Sequence, residues 1–328
     1  MKTFEYIKAS TVGDTVSLLA KYGEKAALFA GGSDLLGMMK DGIEGPHLKP
    51  PQYIITIKSI KELASITDNK GSIRIGAVAT ITDIGDSELL AKRCPLLVQA
   101  ARQVAVPQIR NTATLSGNIC QRPRCWYYRG KLFRDCMRKG GDYCYAQAGE
   151  NQYHAIIGGN RCHMVYPSDL APALTALNAT VEIVSAKGKR KVPIEQFYVR
   201  PENNVLKENV LTPQEMVTAV EIPLQGETKG TYLKLKERLA FDFAVASVAI
   251  NLTVKNDSIT DSRIVFGGLS PFPFRSVKAE AALKGKSIRN GIALASQAAM
   301  AGATPLKNNA YKITAAAGLL EKGLALLA

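Results

Sequence analysis

Apolar residues recur along this chain in short, changing rhythms, and each rhythm predicts an element. In SLLAKYG, Leu18, Leu19 and Tyr22 fall at helical spacing and Gly23 follows as a C-cap. AALFAGGSDLL runs from an apolar strand into a glycine pair and back into apolar residues. YIITI, Tyr53 to Ile57, is rich in β-branched residues and predicts a strand, and SIRIGAVATI predicts another. From residue 83 to 105 a helical period runs through DIGDSELLAKRCPLLVQAARQVA, interrupted at Pro95. DLAPALTALNA predicts a helix, and TVEIVSAKGKRKVPI a hairpin that turns at SAKGKR. Residues 200 to 230, rich in Pro, Asn and Gly, read as a linker. Beyond them, YLKLKERLAFDFAVASVAINLTV, DSRIVFGGLSPFPFRS and an Ala-rich tail predict strands followed by closing helices. Strands and helices do not alternate regularly, so the fold class is α+β rather than a doubly wound parallel sheet.

A chain of 328 residues can bury a substantial core and suits two domains, or one large domain with an insertion. Hydrophobic residues at 46% and charged residues at 21% are ordinary globular values and argue against disorder. Polar residues break every apolar run of MKTFEYIKASTVGDTVSLLAKYG, which predicts neither a secretory signal nor a membrane span. Cytoplasmic residence is the default expectation, although a folded subunit can be exported with a partner that carries the signal.

That default gives the cysteines their meaning. Cys125, Cys136, Cys144 and Cys162 lie within one loop-like segment, and a reducing compartment offers little use for disulfides there. They read as ligands to iron or zinc. Long, irregular gaps without paired CxxC knuckles argue against zinc. Cys120 stands second as a ligand because it is tied to the turn GNIC, and His154 and His163 rank below the cysteines. Cys94 is remote and reads as a buried thiol. Much of the +14 net charge gathers in the same segment, at Arg122, Arg124, Arg129, Lys131, Arg134, Arg138 and Lys139. With Trp126, Tyr127, Tyr128, Tyr143 and Tyr145 interleaved, the segment imitates a single-strand nucleic-acid surface, the rival reading.

Two turns could hold an anion. Phe29-Ala30-Gly31-Gly32-Ser33-Asp34 sets glycines at a strand end, where backbone N–H groups can approach a phosphate. Thr114-Leu115-Ser116-Gly117-Asn118 is a second small-residue turn. Neither the Rossmann nor the Walker pattern is present.

In order, AGGSDLL, IRNTATLSGN, YPSDLAPALTALNA, YLKLKERLAFDFAVA, PFRSVKAEAALKG and NNAYK span nearly the whole chain. Together they resemble the FAD-binding medium subunit of the molybdenum hydroxylases, the group of xanthine dehydrogenase, aldehyde oxidoreductase and carbon monoxide dehydrogenase. The resemblance implies a two-part FAD-binding domain of the vanillyl-alcohol-oxidase/PCMH type, with subdomains at 1–57 and 58–225, then a C-terminal α+β domain at 226–328. It implies that Leu28, Phe29, Ala30, Gly31, Gly32, Ser33, Asp34 and Leu35 form a first loop around the FAD pyrophosphate, using backbone donors. Thr114, Leu115, Ser116, Gly117 and Asn118 would form the second, with Ser116 where the family usually has glycine. Asp169 matches a cofactor-contacting aspartate and Lys234 a lysine near the isoalloxazine ring, with Val104, Arg110 and Val217 lining the same pocket. Residues alone favour plainer roles, Asp169 as a helix cap and Lys234 as a solvent-facing strand residue.

About fifty residues separate the second turn from YPSD, a longer route than most medium subunits take. The segment at about 120–166 resembles the insertion of hydroxybenzoyl-CoA reductase and periplasmic aldehyde oxidoreductase, which carries a [4Fe–4S] cluster; by motif its ligands are Cys125, Cys136, Cys144 and Cys162. The same resemblance implies an electron-transfer role beside a molybdenum large subunit and a [2Fe–2S] small subunit, in an assembly such as a dimer of heterotrimers, with NAD, a quinone or ferredoxin as exchange partner. The basic setting would raise the cluster's potential, and the patch from Arg129 to Lys139 would dock an acidic ferredoxin.

Overall fold

The computed structural model describes residues 1–224 and 226–328, which form three sheets. In the first, strand β1 (Glu5–Lys8) and strand β2 (Ala26–Phe29) flank β3 (Tyr53–Thr56) in parallel. A helix over Val12–Tyr22 carries the chain from β1 to β2. Thr11 starts it by accepting from the Asp14 N–H at 3.0 Å, and Gly23, at φ 51°, ends it. Both the strand and the cap follow the sequence pattern.

The second sheet is antiparallel, in the order β4 (Ile66–Asp68), β5 (Ser72–Gly76), β8 (Met216–Pro223), β6 (Thr180–Ser185), β7 (Gly188–Pro193). Its central strand overturns the linker expected at 200–230. MVTAVEIP buries Met216, Val217, Ala219, Val220 and Ile222 between β5 and β6, a near-continuous apolar run masked by the Pro- and Asn-rich stretch before it. The hairpin turn is also tighter than SAKGKR, because Ser185 already pairs with Gly188. The helical stretch 83–105 becomes three pieces, Ile81–Asp86, Glu88–Arg93 and Pro95–Arg102, with Pro95 at the first turn of the last.

The third sheet runs β12 (Phe274–Arg275), β11 (Ser258–Gly267), β10 (Ala246–Lys255), β9 (Lys229–Leu235), all antiparallel. Helices Val277–Leu283, Ile288–Ala299 and Tyr311–Ala325 share a core with one face, including Val248, Ile250 and Leu252. Helices Pro95–Arg102 and Leu170–Ala176 meet the other face, where Tyr232, Ala249 and Val265 join the core of the second sheet. Cover on both faces explains why β10 is buried continuously from Ala246 to Leu252.

Residues 120–166 contain little regular structure, chiefly Trp126–Arg129 and a single 3-10 turn at Met137–Lys139. The insert is wedged between the other parts. Tyr128 and Cys136 pack with Met38 and Ile43 on one side, and the His47 N–H donates to the Lys139 carbonyl at 2.8 Å. On the other side the buried Lys312 donates to the carbonyls of Tyr153, His154 and Gly268 at 2.9, 3.2 and 2.8 Å. Among the described residues no helix is long and apolar enough to cross a membrane.

Candidate functional site: a divided cleft and a pocket of thiols

Two cavities adjoin where the first glycine turn meets the second small-residue turn. One, of about 330 Å³, is lined by Leu28, Ala30, Gly31, Gly32, Ser33, Asp34, Leu35, Thr114, Ser116, Gly117 and Val217 among others. The other, of about 240 Å³, is lined by Val104, Asn118, Asp169, Arg238 and Phe243, and shares Ser33, Asp34, Gly117 and Gln121 with the first. A long ligand could therefore occupy both with its middle at the shared wall.

The first turn is built for close approach. A Cβ on Gly31 would stand 2.1 Å from the Thr112 carbonyl oxygen, and Gly32 sits at φ 68° with the Phe29 ring against it. Only glycine fits this packing without strain. Among the described residues, no oxygen accepts from the amides of Gly32, Ser33 or Asp34, so these donors are unspent. The second turn differs from the expectation of a matching pair of donor loops. It forms a short helix, Leu115–Ile119, capped by Thr114, and the amides of Leu115, Ser116, Gly117 and Asn118 donate to Ala79 O, Ala77 O, Thr114 Oγ1 and Thr114 O. It offers small side chains and a close wall instead.

Four expected residues do not line either cavity. Leu115 is fully buried in the core, Phe29 packs edge-on to Tyr6, and Arg110 donates to the Val104 carbonyl at 2.8 Å, holding that turn. Lys234 is the fourth, and it is not solvent-facing. Its side chain is 1% exposed, ion-paired with Asp169 at 2.7 Å and bonded to the Gln103 carbonyl at 3.1 Å. Asp169 is not the side-chain cap of its helix either. Ser168 does that, accepting from the Ala171 N–H at 3.0 Å, while Asp169 accepts from Tyr232 Oη at 2.8 Å and turns towards the second cavity. Tyr232 was not foreseen, although its place two residues before Lys234 puts both on one face of β9.

Cys125, Cys136, Cys144 and Cys162 all line one further cavity, with His154, Arg138 and Tyr127, Tyr128, Tyr143 and Tyr145. All six cysteines of the chain are free of disulfides. The void between the thiols is small, about 10 Å³, room for about one water. Among the described residues no group of three or more His, Cys, Asp or Glu donors is close enough to hold a metal ion. Burial pushes the Cys125 thiol up to about 12 and raises Cys136 and Cys144. His154 Nε2 lies 3.2 Å from Cys125 Sγ, and burial, reinforced by the Lys312 charge, brings its pKa down to about 4. Cys120 faces the first cleft cavity instead, His163 lines none of the three, and Cys94 is buried in the core.

The basic patch is not a surface. Arg138 and Lys139 are buried at 1% and 0% exposure, and Lys139 Nζ donates to the Gly130 carbonyl at 2.7 Å. Arg124 and Arg129 both reach Asp34 Oδ1, at 2.9 and 2.6 Å, and the Arg122 N–H donates to Asp34 Oδ2 at 2.8 Å. Glu208, 3% exposed, pairs with Arg138 at 2.8 Å and Arg122 at 3.0 Å. The charges that suggested ferredoxin or nucleic acid are thus largely spent inside, tying the insert to the first turn and to the segment before β8. Some of the aromatics turn inward too, with Tyr127, Phe133 and Tyr145 packed on one another and Tyr128 buried, while Trp126 and Tyr143 stay exposed. Of the patch, Lys131 and Arg134 stay exposed. Glu208 was the residue that sequence missed, and the surplus of arginines in the insert was the signal that buried carboxylates must answer them.

Comparison with known proteins decides the family. Residues 2–225 match the FAD binding domain in molybdopterin dehydrogenase, and residues 231–327 the CO dehydrogenase flavoprotein C-terminal domain. The chain belongs to the FAD-binding medium subunits of the molybdenum hydroxylases. It is 31% identical over 99% of its length to the aldehyde oxidoreductase FAD-binding subunit PaoB of Escherichia coli (strain K12), covering 98% of that protein. To the carbon monoxide dehydrogenase medium chain of Hydrogenophaga pseudoflava it is 28% identical, over 97% of this chain and 94% of that one. A solved carbon monoxide dehydrogenase from H. pseudoflava, lacking the Mo-pyranopterin moiety of the molybdenum cofactor, superposes with TM-score 0.77 at 26% identity, over 99% of this chain and 97% of its counterpart. This medium subunit is therefore an α+β flavoprotein component of an oxidoreductase, and the divided cleft is where its geometry offers room for a dinucleotide.

Proposed function

We propose that this medium subunit holds FAD along the divided cleft and a [4Fe–4S] cluster in the pocket of thiols, and passes electrons between a molybdenum- and [2Fe–2S]-bearing assembly and an outside partner. The convergence of four free thiols on one inward-facing pocket beside the flavin cleft carries this reading. A cubane takes one thiolate per iron. The void is narrower than an inorganic core, so seating one requires the loosely structured insert to widen around it.

FAD, when bound, exchanges electrons singly or in pairs and so joins one-electron carriers to a two-electron partner. The chain's own work is positioning. The unspent amides of Gly32, Ser33 and Asp34 suit a diphosphate at the shared wall, where backbone donors can replace its lost hydration. Ser116 and Thr114 close the opposite side, Val217 lines the first chamber, and Val104, Asn118 and Asp169 the second. Asp169 is fixed by Lys234 and Tyr232, which leaves its carboxylate little freedom to turn. Asp34 joins the two sites, because its main chain belongs to the flavin turn while its side chain anchors Arg122, Arg124 and Arg129 of the insert.

Full-length relatives named as aldehyde oxidoreductase and carbon monoxide dehydrogenase subunits support assembly with a molybdenum large chain and an iron–sulfur small chain. Anaerobic purification with the coexpressed partners tests the reading. Extractable FAD together with acid-labile sulfide that falls by about four per flavin in Cys136→Ser, leaving the share of the [2Fe–2S] partner, is the expected result. Flavin with stoichiometric zinc at these cysteines would replace the cluster by a structural metal.

A further inference from the structure

Among the described residues, Arg138 is the one strongly basic side chain that is buried, lines the pocket of thiols and touches a thiol. Its Nε–H donates to Cys162 Sγ at 3.4 Å and its Nη1 pairs with Glu208 at 2.8 Å. Its Nη2 is buried with no partner. A guanidinium is costly to bury, and one with an unspent donor costs more, so the arrangement is a poor device for stability alone. The carboxylate opposite does not neutralise it fully, because Glu208 is shared with Arg122 at 3.0 Å. Glu208 thus divides its one charge between Arg138, at the wall of the thiol pocket, and the partly exposed Arg122 outside it, which leaves the Arg138 charge incompletely offset.

Resting on the cluster reading above, we infer that Arg138 is a positioning residue that sets the cluster's reduction potential, with Glu208 as its holder and counterweight. Each electron gained makes a thiolate-bound cluster more negative. A nearby cation and N–H···S bonds therefore favour the reduced state and raise its potential. The unspent Nη2 donor provides a second N–H for a sulfur in the pocket. Glu208 opposes this effect by charge while securing the fork that delivers it.

The test is an EPR-monitored redox titration of the intact, anaerobically purified complex. Arg138→Gln is expected to shift the cluster's midpoint to more negative values, and Arg138→Lys, which keeps the charge but loses the planar fork, to shift it less. Glu208→Gln is expected to shift it the opposite way, because the cation stays and its counterweight goes. General damage to the insert would not produce shifts of opposite sign. Should Arg138→Gln lose its sulfide, Arg138→Lys and Glu208→Gln carry the same comparison. Unmoved midpoints, or shifts of one sign in both, overturn the inference while leaving the cluster in place. A wild-type complex without labile sulfide in this subunit instead removes the cluster reading, and this inference with it.

Discussion

At Gly31 the side chain is a single hydrogen because the Thr112 carbonyl occupies the place of a Cβ, 2.1 Å away. Gly31→Ala must therefore push the two turns apart, an overpacking cost of about 1–3 kcal/mol. Placed on the flavin site, that is roughly a ten- to hundredfold loss of FAD affinity. Equilibrium dialysis of the reconstituted protein measures it, and unchanged retention would mean that the turn is not the flavin's cradle. Lys234→Met is expected to act on stability. It leaves Asp169 buried with only the Tyr232 hydroxyl, at a cost of about 3–5 kcal/mol for a broken buried pair. Urea denaturation reads the change, and a midpoint equal to wild type would contradict the pairing. Sequence pointed to both positions, but not to their bond. Asp169 and Lys234 lie far apart in the chain, and only the packing of helix Leu170–Ala176 against the third sheet brings them together.

Elements were legible where local signals agreed. The cap at Gly23, the hairpin over 180–193 and the break at Pro95 all follow from turn and cap chemistry within a few residues. Strand β8 was not, because a strand's burial is decided by its neighbours, here β5 and β6 from distant parts of the chain. The insert was visible as cysteines and arginines, yet its charges were misplaced on the surface. Their partners, Asp34 and Glu208, lie outside it. Asp34→Asn weakens both ion pairs that tie the insert to the first turn. Limited proteolysis should then cut residues 120–166 several-fold faster, with the sheets still protected, whereas an unchanged cleavage rate would show that the insert is held elsewhere.

Across the whole molecule, the insert lies between the flavin-binding sheets and the C-terminal helices, so its order depends on both. Lys312 makes one C-terminal connection through three carbonyls, two of them in the insert. Lys312→Met leaves the Tyr153 and Gly268 oxygens without this donor, the His154 oxygen keeping Asn309 Nδ2, and is expected to cost about 1–3 kcal/mol, read by calorimetry as a lower unfolding temperature. An unaltered transition would show that Lys312 does not brace the insert. The architecture itself was legible as α+β, and the order of its motifs identified the family, since motifs keep their sequence positions even where the contacts between them do not. The central claim concerns what that architecture carries. Iron and acid-labile sulfide per FAD should be measured in the anaerobically purified complex and in its Cys144→Ser variant. A loss of about four iron and about four sulfide per flavin in the variant is the expected result, and identical contents in the two preparations would contradict it.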